Sequence, residues 1–145
     1  MHCCTFFGHR SCPAGIEAKL REVLVKLIEE ENVERFYVGR QGAFDGMVYR
    51  VLQELSAQYP RIFCTVVLER LPQRGEKMPC GFAHTSFPEG LETVPPRWAI
   101  SRRNEWMLKQ SDYVVTYIAH DWGGAACFAA RAVRQGKQVI NVAEF

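Results

Sequence analysis

The sequence predicts an α/β fold in which a parallel sheet of about five strands carries helices on both faces. Two observations lead to this prediction. Short runs of apolar, β-branched and aromatic residues, such as 113–118, alternate along the chain with longer segments whose apolar residues recur at helical spacing, such as 15–31. Because alternating strands and helices are typical of βαβ units, we expect one Rossmann-like domain over residues 1–145.

The first half of the chain supplies three strands and two helices. Strands are predicted at residues 3–7, 35–38 and 61–68. The helix at 15–31 has a single apolar stripe, and a second stripe runs from Phe44 to Leu55. Tyr59 and Pro60 end that second helix. Each stripe gives its helix one face that can pack on a sheet.

The second half begins with a segment that has no sustained pattern. Residues 69–97 hold five of the seven prolines, so we expect a long loop that is functional or mobile. The predicted elements after it are a helix at 98–110, a strand at 113–118, an alanine-rich helix at 125–135 and a returning strand that contains Val139, Ile140 and Val142.

Turns that contain glycine follow three of the predicted strands. Gly8, His9 and Arg10 follow the first strand, residues 39–42 follow the second, and residues 120–124 follow the fourth. In an open parallel sheet, ligands bind outside the carboxyl ends of the strands, at the point where the strand order reverses. We therefore expect these turns to surround a ligand pocket.

The turn at 120–124 is a candidate anion site because a helix follows it directly. A helix N-terminus presents unpaired amide groups, and Gly123 and Gly124 allow a ligand to approach the backbone closely. The small side chain of Ala125 keeps the first helical turn uncrowded. The alternative interpretation is a tight packing turn, since a GGA triplet is a weak motif.

Arg103 and Asn104 lie on the same face of their helix as its apolar stripe. An arginine beside a buried stripe needs an anion or an acceptor, because an unpaired buried charge costs several kcal/mol. One interpretation is that Arg103 binds a phosphate of the ligand. The other is that it extends outward to solvent or pairs with a carboxylate of the protein.

Other side chains complete the candidate ligand site. His9 and Arg10 could hold a phosphate or a ribose. Asp45 either complements the positive end of its helix or accepts ribose hydroxyl groups. Trp122 and Phe44 could stack on a base, although aromatic residues beside glycine turns often only pack. The remaining candidates come from the turns and are Gly8, Gly39, Gln41, Gly42 and Asp121.

The composition argues against several other classes of protein. Of 145 residues, 48% are hydrophobic and 23% are charged, which is ordinary for a soluble domain. A net charge of +2 gives no sign of a nucleic-acid binder. The six cysteines form no CxxC pair, so we expect reduced thiols and no metal site. No stretch reaches membrane-spanning length, so we expect a cytoplasmic protein without membrane contact. We also expect no required cofactor.

Four blocks of the sequence together resemble the SLOG superfamily, and more narrowly its small bacterial and phage YpsA-like members. The blocks are TFFGHR, VGRQGAFDGMVYRVLQEL, FPEGLETVPPRWAISRRNEWM and SDYVVTYIAHDWGGAA. The resemblance covers nearly the whole chain. It implies a Rossmann-like domain that binds nucleotides or nucleotide-derived ligands such as ADP-ribose derivatives, often as a homodimer.

The superfamily includes the LOG phosphoribohydrolases, whose functional motif this chain matches only in part. In those enzymes an arginine precedes a strand aspartate at a fixed distance, and a glycine-rich motif with a glutamate follows the strand. Arg103 resembles that arginine in its distance from Asp112, and Gly123 with Gly124 resembles the glycine pair. The glutamate has no counterpart, because Phe128, Ala129 and Ala130 stand in its place.

The missing glutamate favours binding without hydrolysis, because alanine and phenylalanine cannot position water or stabilise an oxocarbenium ion. The first hypothesis is therefore the sensing or sequestration of a nucleotide-derived ligand. One alternative is a LOG-type phosphoribohydrolase that acts on nucleoside 5′-monophosphates, with Asp45 or Glu105 replacing the glutamate. A second alternative is a single-stranded nucleic-acid binder of the DprA type, which the modest net charge disfavours.

Overall fold

The structure is a computed structural model that describes residues 2–78 and 82–143. Within these residues, a parallel sheet of six strands lies between four α-helices. All five strand pairings in the sheet are parallel. The predicted α/β, Rossmann-like fold is confirmed, and the sheet has six strands rather than about five.

The elements follow the predicted alternation of strands and helices. The strands are β1 (His2–Gly8), β2 (Val33–Val38), β3 (Phe63–Val67), β4 (Ala83–Ser86), β5 (Tyr113–Tyr117) and β6 (Gln138–Asn141). The helices are α1 (Glu17–Glu30), α2 (Ala43–Gln58), α3 (Pro96–Gln110) and α4 (Gly124–Arg134). Across the part of the chain that the structure describes, no helix is both long enough and apolar enough to cross a membrane.

The additional strand, β4, lies inside the segment 69–97 that the sequence predicts to be a loop. It pairs with β3 from Ala83, opposite Cys64, to Ser86, opposite Val67. Its sequence AHTS is short and mostly polar, and Ala83 is its one buried residue. An edge strand has a single neighbour and little burial, so no apolar run marks it in the sequence.

Smaller differences between the predicted and observed bounds have local causes. α3 begins at Pro96 rather than Trp98, because proline has no amide hydrogen and fits the first position of a helix. β6 ends at Asn141, and Val142 is fully buried in the core just beyond it.

The two faces of the sheet have separate apolar cores. Helices α1 and α2 pack on one face and helices α3 and α4 on the other. Adjacent residues of β1 point to opposite faces, so Phe6 packs against α1 and α2. Phe7 packs with Met107 of α3 and Phe128 of α4. The central strands are buried on both sides, which explains their continuous apolar sequences.

The strand order places a crevice at the centre of the sheet. The order is β4-β3-β2-β1-β5-β6, so β2, β3 and β4 lie on one side of β1 and β5 and β6 lie on the other. The direction of winding reverses between β1 and β5, which pair from Cys4 with Tyr113 to Gly8 with Tyr117. The turns that follow these two strands therefore face each other across the position where open α/β sheets bind ligands.

Gly8 ends β1 at a point where Phe44 of α2 closes over the backbone. A Cβ atom at Gly8 would lie 2.2 Å from Phe44 Cδ2, and the Phe44 ring is fully buried. We therefore expect Gly8→Ala to lower the free energy of unfolding by about 1–3 kcal/mol, measured by urea denaturation.

The matched control for Gly8→Ala is Gly46→Ala, which adds the same methyl group at an exposed position of α2. No atom lies within 4 Å of a Cβ built at Gly46. Alanine should stabilise the helix there by up to about 1 kcal/mol, because it is the better helix former. Equal stabilities of the two variants would contradict the close packing of Phe44 on Gly8.

Candidate functional site

A pocket of about 640 Å³ opens at the carboxyl ends of β1 and β5. Its walls come from the turns after these strands and from helices α2, α3 and α4. The predicted candidates that line it are Gly8, His9, Arg10, Gln41, Asp45, Arg103, Asn104, Trp122, Gly123, Gly124 and Ala125. The volume lies in the range of small-molecule binding sites.

Gly39 and Gly42 do not line the pocket but allow close contacts behind it. A Cβ atom at Gly39 would lie 3.0 Å from Cζ of Arg103, so the guanidinium group lies directly on the Gly39 backbone. A Cβ atom at Gly42 would lie 2.6 Å from Cα of Arg10. The Ala43 N–H donates to the Arg10 carbonyl oxygen at 2.8 Å. These contacts hold the turns after β1 and β2 together.

Phe44 and Asp121 also lie outside the pocket lining. Phe44 is fully buried and packs beneath Gly8, so the expectation that its ring stacks on a base is wrong. The ring instead forms part of the core between α2 and the sheet. Asp121 is exposed in the turn before α4. Of the two aromatic candidates, only Trp122 lines the pocket.

Arg103 is the central charged group of the site. Its side chain is only 3% exposed, yet it contributes to the pocket wall. Nε and Nη2 donate to Oδ1 of Asn104 at 3.2 and 3.0 Å, and Nη1 lies 3.5 Å from Oε2 of Glu69. Burial lowers the pKa of Arg103, and the carboxylates of Asp45 and Glu69 oppose that shift. The guanidinium therefore has internal acceptors, and Arg103 is also one of the residues that line the cavity.

Glu69 is a contributor that the sequence analysis missed. Its Oε2 atom lies 3.5 Å from Nε of Arg40 as well as from Nη1 of Arg103. Glu76 extends the cluster, because its Oε2 atom lies 3.6 Å from Nη1 of Arg40 and accepts from Nη2 of Arg70 at 2.7 Å. The beginning of the segment 69–97 is thus tied to the site by ion pairs, which no periodic pattern in the sequence indicates.

Asp45 places a buried carboxyl group in the same pocket. It is 7% exposed, and its Oδ2 atom accepts the Gln41 N–H at 2.8 Å. Burial raises the pKa of Asp45 to about 6, although the Gln41 hydrogen bond and the Arg103 charge both act to lower it. The group therefore titrates close to neutral pH.

The N-terminus of α4 faces the pocket through Gly123, Gly124 and Ala125. Gly123 has φ = 97°, a conformation that favours glycine, and it turns the chain into the helix. No side chain caps this end, and the first turn of α4 contains no acidic residue. The first amide groups of a helix lack intrahelical acceptors, so this end carries an uncompensated positive potential.

A column of three stacked rings stands at the edge of the pocket. The ring centroids of His9 and His120 are 3.5 Å apart, and those of His120 and Trp122 are 3.7 Å apart, with interplanar angles of 13° and 15°. Nε2 of His9 accepts the backbone N–H groups of Ala119 at 3.0 Å and His120 at 3.3 Å. Burial and the neighbouring His120 lower the pKa of His9.

The residue at the position of the LOG-type glutamate and the two carboxylates suggested to take over its role lie in different parts of the structure. Phe128 packs against Phe7 with ring centroids 5.4 Å apart, on the side of the sheet covered by α3 and α4. Glu105 is exposed, pairs with Arg131 at 3.2 Å, and does not line the pocket. Asp45 alone of the two suggested carboxylates reaches the cavity. Within residues 2–78 and 82–143, no group of three or more His, Cys, Asp or Glu side chains is placed to hold a metal ion.

The raised pKa of Asp45 predicts a dependence of stability on pH. The folded state keeps the proton up to about pH 6, whereas the unfolded chain loses it near 3.8, so stability should fall as pH rises between these values. Asp45→Asn removes this term and keeps an acceptor for Gln41. We expect the variant to gain on the order of 2–3 kcal/mol relative to the natural protein between about pH 4 and pH 7, measured by urea denaturation. Parallel stability curves for the two proteins would contradict the shift.

Comparisons with known proteins do not identify a family for this chain. No protein-family model matches the sequence, and no curated protein matches it. The resemblance to the SLOG superfamily therefore stays a prediction that rests on the four sequence blocks. What the pocket binds has to be inferred from its own residues.

Proposed function

We propose that the pocket binds a nucleotide-derived ligand, such as an ADP-ribose derivative, without cleaving it, and that the protein senses or sequesters this ligand. The observation that carries the proposal is the convergence of two positive features on one cavity. The buried Arg103 and the uncapped N-terminus of α4 both line it. Anions bind at such helix ends, and arginine offers a planar fork for phosphate oxygens.

The phosphate and the ribose of a nucleotide each have a matching group in the pocket. The amide groups at Gly124 and Ala125 suit a phosphate, with Arg103 and the exposed Arg10 supplying charge. The carboxyl group of Asp45 suits ribose hydroxyls when it is ionised. The volume of about 640 Å³ is sufficient for a ligand of this size.

The proposal also includes a homodimer in the cytoplasm of a bacterium or in a phage-encoded context. The homodimer and the bacterial or phage origin rest on the SLOG resemblance alone, and the cytoplasmic location rests on the sequence, in which no stretch reaches membrane-spanning length. The small, uncrowded first turn of α4 is compatible with a ligand that extends across the mouth of the pocket.

Thermal denaturation with and without ADP-ribose tests the proposal. At about 100 times its Kd, the ligand should stabilise the protein by about 2.7 kcal/mol and raise the Tm by roughly 5–10 °C. Arg103→Ala should lose most of this shift. Arg102→Ala, an exposed neighbour on the same helix, is the matched control and should keep it.

Gly124→Asp separates binding from folding, because Arg103→Ala also leaves Asp45 and Glu69 without their cation. A Cβ atom at Gly124 meets no atom within 4 Å, and a carboxylate in the first turn favours the helix. The variant should therefore fold normally and repel a phosphate. A panel of nucleotides that leaves the Tm of the natural protein unchanged would refute the proposed function.

Asp45 favours a second candidate function, the cleavage of nucleoside 5′-monophosphates. A carboxyl group with a pKa of about 6 inside the pocket can exchange a proton near neutral pH. In this reaction water bonds to C1′ and loses a proton, the N-glycosidic electron pair and a proton pass to the base, and the products are the free base and ribose 5-phosphate. If the protein has this activity, incubation with AMP releases adenine, and Asp45→Asn slows the release by about 100-fold or more. No adenine after long incubation would exclude this activity on AMP.

A further inference from the structure

We propose that the outward face of Trp122 is the subsite for the flat aromatic base of the ligand, and that the neutral ring of His9 holds this subsite in place. The inference rests on the proposed function, because it assigns the base of the same nucleotide-derived ligand. It adds a specificity for ligands with an aromatic ring over sugar phosphates alone, and a role for His9 as a positioning residue.

Trp122 is unusually exposed for a tryptophan that is held in a fixed orientation. Its relative exposure is 69%, and it lines the pocket beside Gly123 and Gly124. His120 covers one face of the indole, and no other aromatic ring in the described part of the chain stacks on it. With most of the side chain exposed, the opposite face is accessible to a ligand. A base that stacks on an aromatic side chain gains about 1–3 kcal/mol, largely independent of base identity.

The turn that carries Trp122 is clamped from two directions. His9, which follows β1, receives hydrogen bonds from the backbone of Ala119 and His120. Nδ1 of His120 lies 3.0 Å from the carbonyl oxygen of Trp122, and a carbonyl can only accept, so Nδ1 carries the proton. The indole is thus oriented before any ligand arrives, which lowers the entropic cost of stacking a base on it.

The clamp requires an uncharged His9. Nε2 accepts two N–H groups, so it must keep its lone pair, and the proton of the neutral ring resides on Nδ1. Protonation of Nε2 would turn both hydrogen bonds into repulsive contacts. It would also place a cation on the stacked ring of His120.

The other charged or titratable groups around His9 do not remove the need for an uncharged His9 ring. Tyr117 of β5 packs edge-on against the ring, with centroids 5.9 Å apart, and Arg10 is the next residue in the chain. Asp45 from α2 and Arg103 from α3 line the same pocket. The first turn of α4 contributes no acidic group. Acidification should therefore loosen the column and weaken the binding of the base.

AMP and ribose 5-phosphate are suitable probes, because they share the sugar phosphate and differ in the adenine. Calorimetric titration of the natural protein should give a lower Kd for AMP than for ribose 5-phosphate. Trp122→Ala should raise the Kd of AMP by about 5- to 100-fold, which corresponds to the loss of one stacked base. The Kd of ribose 5-phosphate should change less than twofold. Trp98→Ala is the matched control, since Trp98 is also exposed but lies outside the pocket.

The role of His9 is tested by the ratio of the Kd of ribose 5-phosphate to the Kd of AMP. This ratio is measured at several pH values from about pH 7.5 to pH 5. The ratio cancels the protonation of the phosphate and of Asp45, which affect both probes. As the pH falls, the Kd of AMP should approach that of ribose 5-phosphate. His9→Gln retains an acceptor that does not titrate, so its ratio should stay constant with pH.

The possible results separate this inference from the proposed function. If Trp122→Ala weakens both probes equally, or if the natural protein binds both equally well, the base subsite is wrong and phosphate binding stands. If the ratio in the natural protein is independent of pH, the role of His9 is wrong. If neither probe binds, the base subsite is overturned, and the proposed function is refuted as well only if ADP-ribose leaves the Tm unchanged.

Discussion

The burial of one positive charge at the reversal point of the sheet constrains the rest of the site. A guanidinium removed from water must be neutralised and hydrogen-bonded, because an unpaired buried charge costs several kcal/mol. For Arg103 this is done by Asn104 on the same helix, by Glu69 from the segment after β3, and electrostatically by Asp45. Elements that are distant in sequence are thus brought together by the needs of a single side chain.

The neutralisation is incomplete in a way that suits a binding site. Glu69 lies at the long end of the hydrogen-bonding range from both Arg40 and Arg103, and Asp45 is held in its neutral form more readily than an ordinary aspartate. These carboxyl groups offset the charge of the arginines without saturating their donors. Under the proposed function, a phosphate that entered the cavity would find Arg103 already held in position.

The sequence was informative where periodicity and turn chemistry carry the signal. Helical spacing placed Arg103 on an apolar face, and the glycine turns after β1, β2 and β5 indicated the edge of the sheet where the pocket lies. Features that arise from contacts between distant segments left no local pattern. The polar edge strand β4, the ion pairs of Glu69 and the stacking of His9 on His120 belong to this group. Phe44 is a case of the opposite kind, because a local pattern pointed to a ligand contact. This aromatic residue beside a glycine turn packs in the core.

The contact between Gly39 and Arg103 has a consequence for how this protein can change over time. The guanidinium lies so close to the backbone of Gly39 that a methyl group there would push it by a few tenths of an ångström, which would strain its contacts with Asn104 and Glu69. The two positions should therefore evolve as a pair. Lineages that keep the arginine should keep the glycine, and a lineage that abandons the arginine becomes free to fill position 39.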